Sequence, residues 1–181
     1  LSVVKTTSGA LGLARLPTSP PYQMTRGEAG KKIIVASDGK RISVQPGRVR
    51  GVLHGVSIIS DTVNFIGWAI DEKAGRPADK ILVFSASGRY IETFAPWAER
   101  LDIAKWLGAQ YLKCGFYDFI PIGLLRNTNA TFYALSGDAA SEMEYIDPET
   151  RQQTTWSSPL FFDDFRLQGD RSALHVLDKD G

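Results

Sequence analysis

The chain has 181 residues, with 21 Lys plus Arg against 20 Asp plus Glu, 43% apolar residues and 10% aromatic ones. That length suits one domain with a real hydrophobic core. The even charge balance argues against a nucleic-acid binder, which draws its affinity from a basic excess, and the lone Cys114 excludes an intrachain disulfide or thiolate cluster.

Residues 1–31 are rich in Ser, Thr, Gly and Pro, with Pro17, Pro20 and Pro21 close together. Proline fixes φ and removes a ladder donor, so this stretch reads as a linker or an extended segment draped over the body. The chain opens at Leu1 with neither a Met nor a signal-peptide pattern, and reads as a piece of a longer product. No run approaches the ~20 apolar residues that span a bilayer.

Periodic structure begins at Lys32. Ile33-Ile34-Val35 and Ile42-Ser43-Val44 flank Asp38-Gly39, which predicts a β-hairpin. Strands follow over 52–59 and 63–70, separated by Ser60-Asp61. In the second of these, Phe65, Gly67 and Ala69 fall on one face and Ile66, Trp68 and Ile70 on the other. A strand apolar on both faces is a central one. A loop over 71–79 leads to a second hairpin, 80–86 with 90–94, across Ser87-Gly88.

One helix is predicted over 98–107, with Leu101, Ala104 and Leu107 as its apolar stripe and Ile103 and Trp106 widening it. Pro96 precedes it and Gly108 ends it. Strands are then expected over 116–121, 130–136 and 141–146. The stretch 147–181 is more polar, though it carries Trp156, Leu160, Phe161, Phe162 and Phe165. It reads as an extension that caps the sheet or adds a last strand. Short strands with turn signals about every ten residues indicate a sandwich or barrel with one inserted helix.

Little in the sequence suggests catalysis. The two histidines, His54 and His175, lie in a strand and in the tail, and no Gly-x-Ser-x-Gly elbow occurs. A hydrogen-bonded structural role suits both. Two His and one Cys lack the paired spacing of a zinc site. Asp147, Glu149 and Asp163-Asp164 are oxygen donors of the kind that hold Ca²⁺, and equally the ordinary carboxylates of solvated loops. Asp71 with Glu72, Glu142 with Glu144, and Asp163 with Asp164 match a glycosidase pair by residue type alone.

The aromatics are more informative. An exposed Trp or Tyr stacks on the apolar face of a pyranose while neighbouring polar groups bond its hydroxyls. Trp68 and Trp106 read as core. Trp97 follows a proline in a loop, and Trp156 sits among Gln153, Thr154, Thr155 and Ser157, so these two are the candidate stacking residues. Asp102 and Gln110, near Trp97 in sequence, are the candidate polar contacts.

A run of motifs stands in order between about 49 and 146: Ile66-Gly67-Trp68-Ala69-Ile70-Asp71, then Arg76-Pro77-Ala78-Asp79-Lys80-Ile81-Leu82-Val83-Phe84, then Gly88. It continues through Arg100-Leu101-Asp102-Ile103-Ala104, Gly115-Phe116 before Pro121, Phe132-Tyr133-Ala134-Leu135-Ser136 and Ser141-Glu142-Met143-Glu144-Tyr145. On these residues the chain resembles an immunoglobulin-like β-sandwich accessory domain of bacterial cell-envelope proteins, of the kind that follows the multi-spanning region of membrane glycosyltransferase-like proteins. Ser87 departs from the Asp common before Gly88, and Leu101 from a common Pro. The resemblance implies an extracytoplasmic module, periplasmic or at the cell surface, tethered to a membrane through other parts of its parent chain. It supplies no catalytic residue. Arg100 and Asp102 read as structural, an Arg fork tying the helix start to a strand end.

These readings give a mainly β fold, an immunoglobulin-like or related β-sandwich with one short inserted helix, over 32–146. The expected function is non-catalytic: binding or positioning an envelope glycan beside a membrane glycosyltransferase-type enzyme. The expected partners are an envelope polysaccharide and the membrane domain of the same parent chain, with no cofactor, metal or nucleic acid. A structural or protein-partner domain is the alternative, and an independent acid/base hydrolase the third reading.

Overall fold

The computed structural model describes residues 19–125 and 128–146, together with the backbone of 153–155, 166–168 and 175–177. The first strands are β1 (Tyr22–Arg26), β2 (Lys32–Ala36) and β3 (Arg41–Val44), and the long pair β4 (Arg50–Ile59) and β5 (Thr62–Asp71) comes next. Then follow β6 (Arg76–Pro77), β7 (Lys80–Ser85) and β8 (Tyr90–Phe94), the helix α1 (Leu101–Leu107), and β9 (Gly115–Pro121) with the single turn α2 (Ile122–Leu125). The chain continues with β10 (Ala130–Ser136), β11 (Ala139–Glu142), β12 (Glu144–Ile146), β13 (Gln153–Thr155), β14 (Arg166–Gln168) and β15 (His175–Leu177).

Two sheets make a sandwich. One has seven strands in the order β1-β2-β3-β11-β10-β7-β8. The other has six: β13-β12-β4-β5-β6, with β9 also paired to β5. A separate hairpin joins β14 to β15. The core between the sheets follows the period-two pattern. Phe65 and Ala69 of β5, Phe116 and Ile120 of β9, Ile81 and Val83 of β7, and Phe132 and Ala134 of β10 all point into it. Phe65 and Phe132 meet across the layers with ring centroids 4.7 Å apart. The fold is thus mainly β and sandwich-like with a short helix, as the turn spacing predicts.

The first sheet has a second core on its other face. Leu82, Phe84, Tyr133 and Leu135 pack there against Ile34, Ile42 and Tyr22. To bury both faces of β7 and β10, the sheet curls until β1 approaches β8, with the rings of Tyr22 and Tyr90 6.1 Å apart. Residues 22–26, expected to be linker, are therefore an edge strand that closes this curl.

Two other expectations change. The strand expected over 141–146 is two strands: β11 pairs antiparallel with β10 in one sheet, and β12 runs parallel to β4 in the other. Between them Met143 turns into the core over Gly51, where a Cβ would lie 2.8 Å from its Cγ. The helix also starts three residues late. Pro96 removes a donor, and the amides of Trp97 and Ala98 both donate to the carbonyl of Gly115, holding 97–98 against β9 rather than in a helical turn.

Candidate functional site

The outer face of the second sheet carries the site. Along β4 and β5 the outward residues are Val52, Trp68 and Ile70, and α1 lies over them. Ile103 of α1, with Tyr111 and Cys114 after it, buries against that row, and Leu107 is half-buried. A helix of seven residues has one narrow contact line. That line passes through Ile103 and Leu107, which leaves Leu101 exposed and turns Trp106 outward with 60% of its surface free. Trp106 is therefore not core, as its place on the expected stripe had suggested. Trp68 is buried, as expected.

Trp106 is not loose. The Arg50 guanidinium sits 5.4 Å from the Trp68 ring and 4.9 Å from the Trp106 ring. A planar cation between two indoles props the outer ring upright, and Glu72 holds Arg50 from its other side at 3.3 Å.

At the foot of the helix, Arg100 forks onto Asp102 with bonds of 2.8 and 2.5 Å and reaches His54 Nε2 on β4 at 2.6 Å. This is the strand-to-helix tie expected of the Arg100–Asp102 pair. The hydrogen bonds from Arg100 hold the Asp102 carboxyl down at about 2. Although exposed, Asp102 is thus already engaged and is a poorer ligand contact than its position suggests.

Trp97 is 60% exposed, its backbone pinned to Gly115 at 2.8 Å. Gln110 is exposed but folds its amide over Gly108, so it lies close to its own turn. Trp156, the remaining candidate, lies outside the described residues, as do Asp147, Glu149 and Asp163-Asp164.

Sequence reasoning missed the rest of this face. On β9 the alternation that buries Phe116 and Ile120 turns Tyr117 and Phe119 outward, and both are exposed. Register places Tyr117 opposite Ile66 and Phe119 opposite Asn64. Asn64 is buried, and its Nδ2 has no hydrogen-bond partner. Ile59, at the end of β4, is exposed beyond it. The signal was available: in Phe116-Tyr-Asp-Phe119-Ile120 an aromatic falls on each face of one strand.

The acidic candidates lead elsewhere. Burial alone would raise the Asp71 carboxyl, but hydrogen bonds from Arg48 and Ser136 and from the Ala74 amide bring it to about 2. Its ion pair with Arg48 is 2.7 Å long. Such a group cannot act as a proton donor near neutral pH. Glu142 pairs with Lys32 in the first sheet, while Glu144 lies on β12 in the second. Burial pushes the Cys114 thiol up to about 11, which leaves it unreactive. Among the described residues no group of three or more His, Cys, Asp or Glu is placed to hold a metal ion. No helix among them is long and apolar enough to cross a membrane.

Comparisons with protein-family models, with curated proteins and with solved structures give no match for this chain.

Proposed function

We propose that the domain is a non-catalytic glycan-holding module whose binding surface is the outer face of the second sheet. The observation that carries this reading is the exposed indole of Trp106, with the Arg50 guanidinium 4.9 Å from its ring, and a second exposed indole, Trp97, just before α1. A ring held in place before a ligand arrives loses little freedom on stacking. The hydrogen-bonding side chains near α1 that reach solvent are Arg50 and Gln110, which suit a hydroxyl-rich chain. The resemblance to bacterial envelope accessory domains supports an extracytoplasmic setting beside a membrane glycosyltransferase-type enzyme, reached through regions beyond this chain. The test is affinity electrophoresis of the domain through gels containing envelope polysaccharides, where retardation supports the proposal and free migration in all of them counts against it.

One observation favours a second reading. Ile59 of β4 and Phe119 of β9 are exposed apolar side chains on the outer face of the second sheet. Exposed apolar side chains of that kind suit a protein partner, such as the membrane domain of the parent chain.

A further inference from the structure

The curl of the first sheet leaves a cavity of about 290 Å³ at one end, between β1, β2, β10 and the β7–β8 turn. It is distant in the fold from the aromatic face, and its chemistry differs. Arg26, Lys32, Ser85, Ser87, Thr131 and Tyr133 contribute its polar lining. The volume is near the lower end of the range for small-molecule sites.

The two cations are the informative pair. Arg26 and Lys32 are direct cross-strand partners in the β1–β2 register, so their side chains leave the same face of the ladder about 5 Å apart at Cβ. Like charges so placed repel. Lys32 is partly compensated by Glu142 at 3.2 Å, but Arg26 makes no ion pair with any described carboxylate. Among the described residues, an excess positive charge therefore stands at the cavity without a carboxylate partner.

The hydroxyls around it have protons to spare. Lys32 Nζ donates to the Tyr133 hydroxyl oxygen at 2.9 Å, which leaves the phenolic proton free to point elsewhere. Tyr133 is only 2% exposed, and burial raises its phenol above the ordinary range, so it remains a donor at neutral pH. Ser85 and Ser87 share a hydrogen bond of 2.8 Å, and Ser85 Oγ also accepts the Arg89 amide. That leaves a Ser hydroxyl proton and the Thr131 hydroxyl for a ligand. Glycine at 88 makes the close wall possible: its φ is 83°, and a Cβ there would stand 3.2 Å from Met24 Cβ.

We propose that this cavity binds a small molecule through a compact oxyanion, a carboxylate or phosphate group gripped by Arg26 and Lys32. The anion relieves the repulsion between the two cations, and Tyr133 and Thr131 donate to its remaining oxygens. The site is independent of the glycan-holding face, so either can fail without the other.

The test is calorimetric titration of the full chain with inorganic phosphate and, separately, with glucuronate, both at low ionic strength. At least one is expected to bind saturably, and which one does so identifies the anion. Arg26→Ala should weaken that binding about tenfold or more, as loss of a charge-assisted hydrogen bond does. Thr131→Val, which leaves every charge in place, should weaken it several-fold and provides a reading should the arginine variant misfold. Arg41→Ala, which removes an exposed cation of β3 that does not line the cavity, should bind like wild type. The proposal is overturned if neither anion saturates the wild-type chain, or if Arg41→Ala weakens binding as much as Arg26→Ala.

Discussion

The guanidinium of Arg100, at the foot of α1, points at Nε2 of His54 on β4 across 2.6 Å. Arginine has no acceptor, so this nitrogen of His54 must be the acceptor and the ring must be neutral, with its proton on Nδ1. The contact joins the helix to the sheet at the bulge between Leu53 and Gly55, where the ladder of β4 and β5 loses its register. It gives the domain a pH-sensitive tie.

Burial, and after it the Arg100 charge, lowers the His54 pKa from its ordinary 6.5. The unfolded chain therefore takes up this proton at a higher pH than the folded one. The stability linked to the neutral ring is complete above about pH 6.5 and is lost as pH falls through the folded value. Melting temperatures measured at pH 7.5 and 5.5 should fall further for wild type than for His54→Gln, whose amide oxygen also accepts from Arg100. Equal falls would show that His54 does not titrate against this contact.

Asp71 works in the opposite range. Its carboxylate is 2% exposed and held at about 2, so it contributes stability above about pH 4 that disappears as pH falls through 2. Asp71→Asn should destabilise the fold by about 2–3 kcal/mol in urea unfolding at pH 7, below the full value for a buried pair because Arg48 stays partly in water. A loss under about 0.5 kcal/mol would place the pair among ordinary surface bridges.

Gly67 is a test of packing. A Cβ added there would run into the Val52 carbonyl and come 2.5 Å from Phe116 Cζ. The carbonyl belongs to the β4–β5 ladder and cannot move aside, so Gly67→Ala should cost about 3 kcal/mol. Gly123→Ala has nothing within 4 Å to meet and should be near neutral. Chemical unfolding of the two variants side by side reads the difference.

Much of this architecture was written in local pattern. Both faces of β5 are apolar because one meets Phe132 and the rest of the core and the other meets α1, and an apolar run on both faces by itself marks such a central strand. The hairpin β2–β3 follows from Asp38-Gly39, where Gly39 takes a φ of 86°. What local pattern cannot give is where a chain changes partner. Residues 141–146 look like one strand, yet Met143 carries the backbone from one sheet to the other, a choice set by space over Gly51. β1 was hidden for a similar reason. Its value lies in closing a curl against β8, and only Tyr22 is buried along it.

The candidate site was legible in part. Trp97 and Trp68 follow from a loop and a strand. Trp106 was misplaced because a helical stripe counts apolar residues, whereas this short helix buries only the line through Ile103 and Leu107 and leaves the Trp106 ring outside, beside Arg50. Tyr117 and Phe119 needed only the period-two reading of β9 together with knowledge of which face α1 leaves open.

Whether the exposed indoles beside and on α1 hold a glycan is decided by titrating envelope polysaccharide into wild type, Trp97→Ala, Trp106→Ala and Trp68→Ala, with a thermal melt of each. The two exposed variants should keep the wild-type melt and lose about 1–3 kcal/mol of binding each. Trp68→Ala should lose about 3–5 kcal/mol of stability as a core truncation. Wild-type affinity in both exposed variants, with intact melts, would rule out glycan stacking on these rings and leave the protein-partner surface ahead.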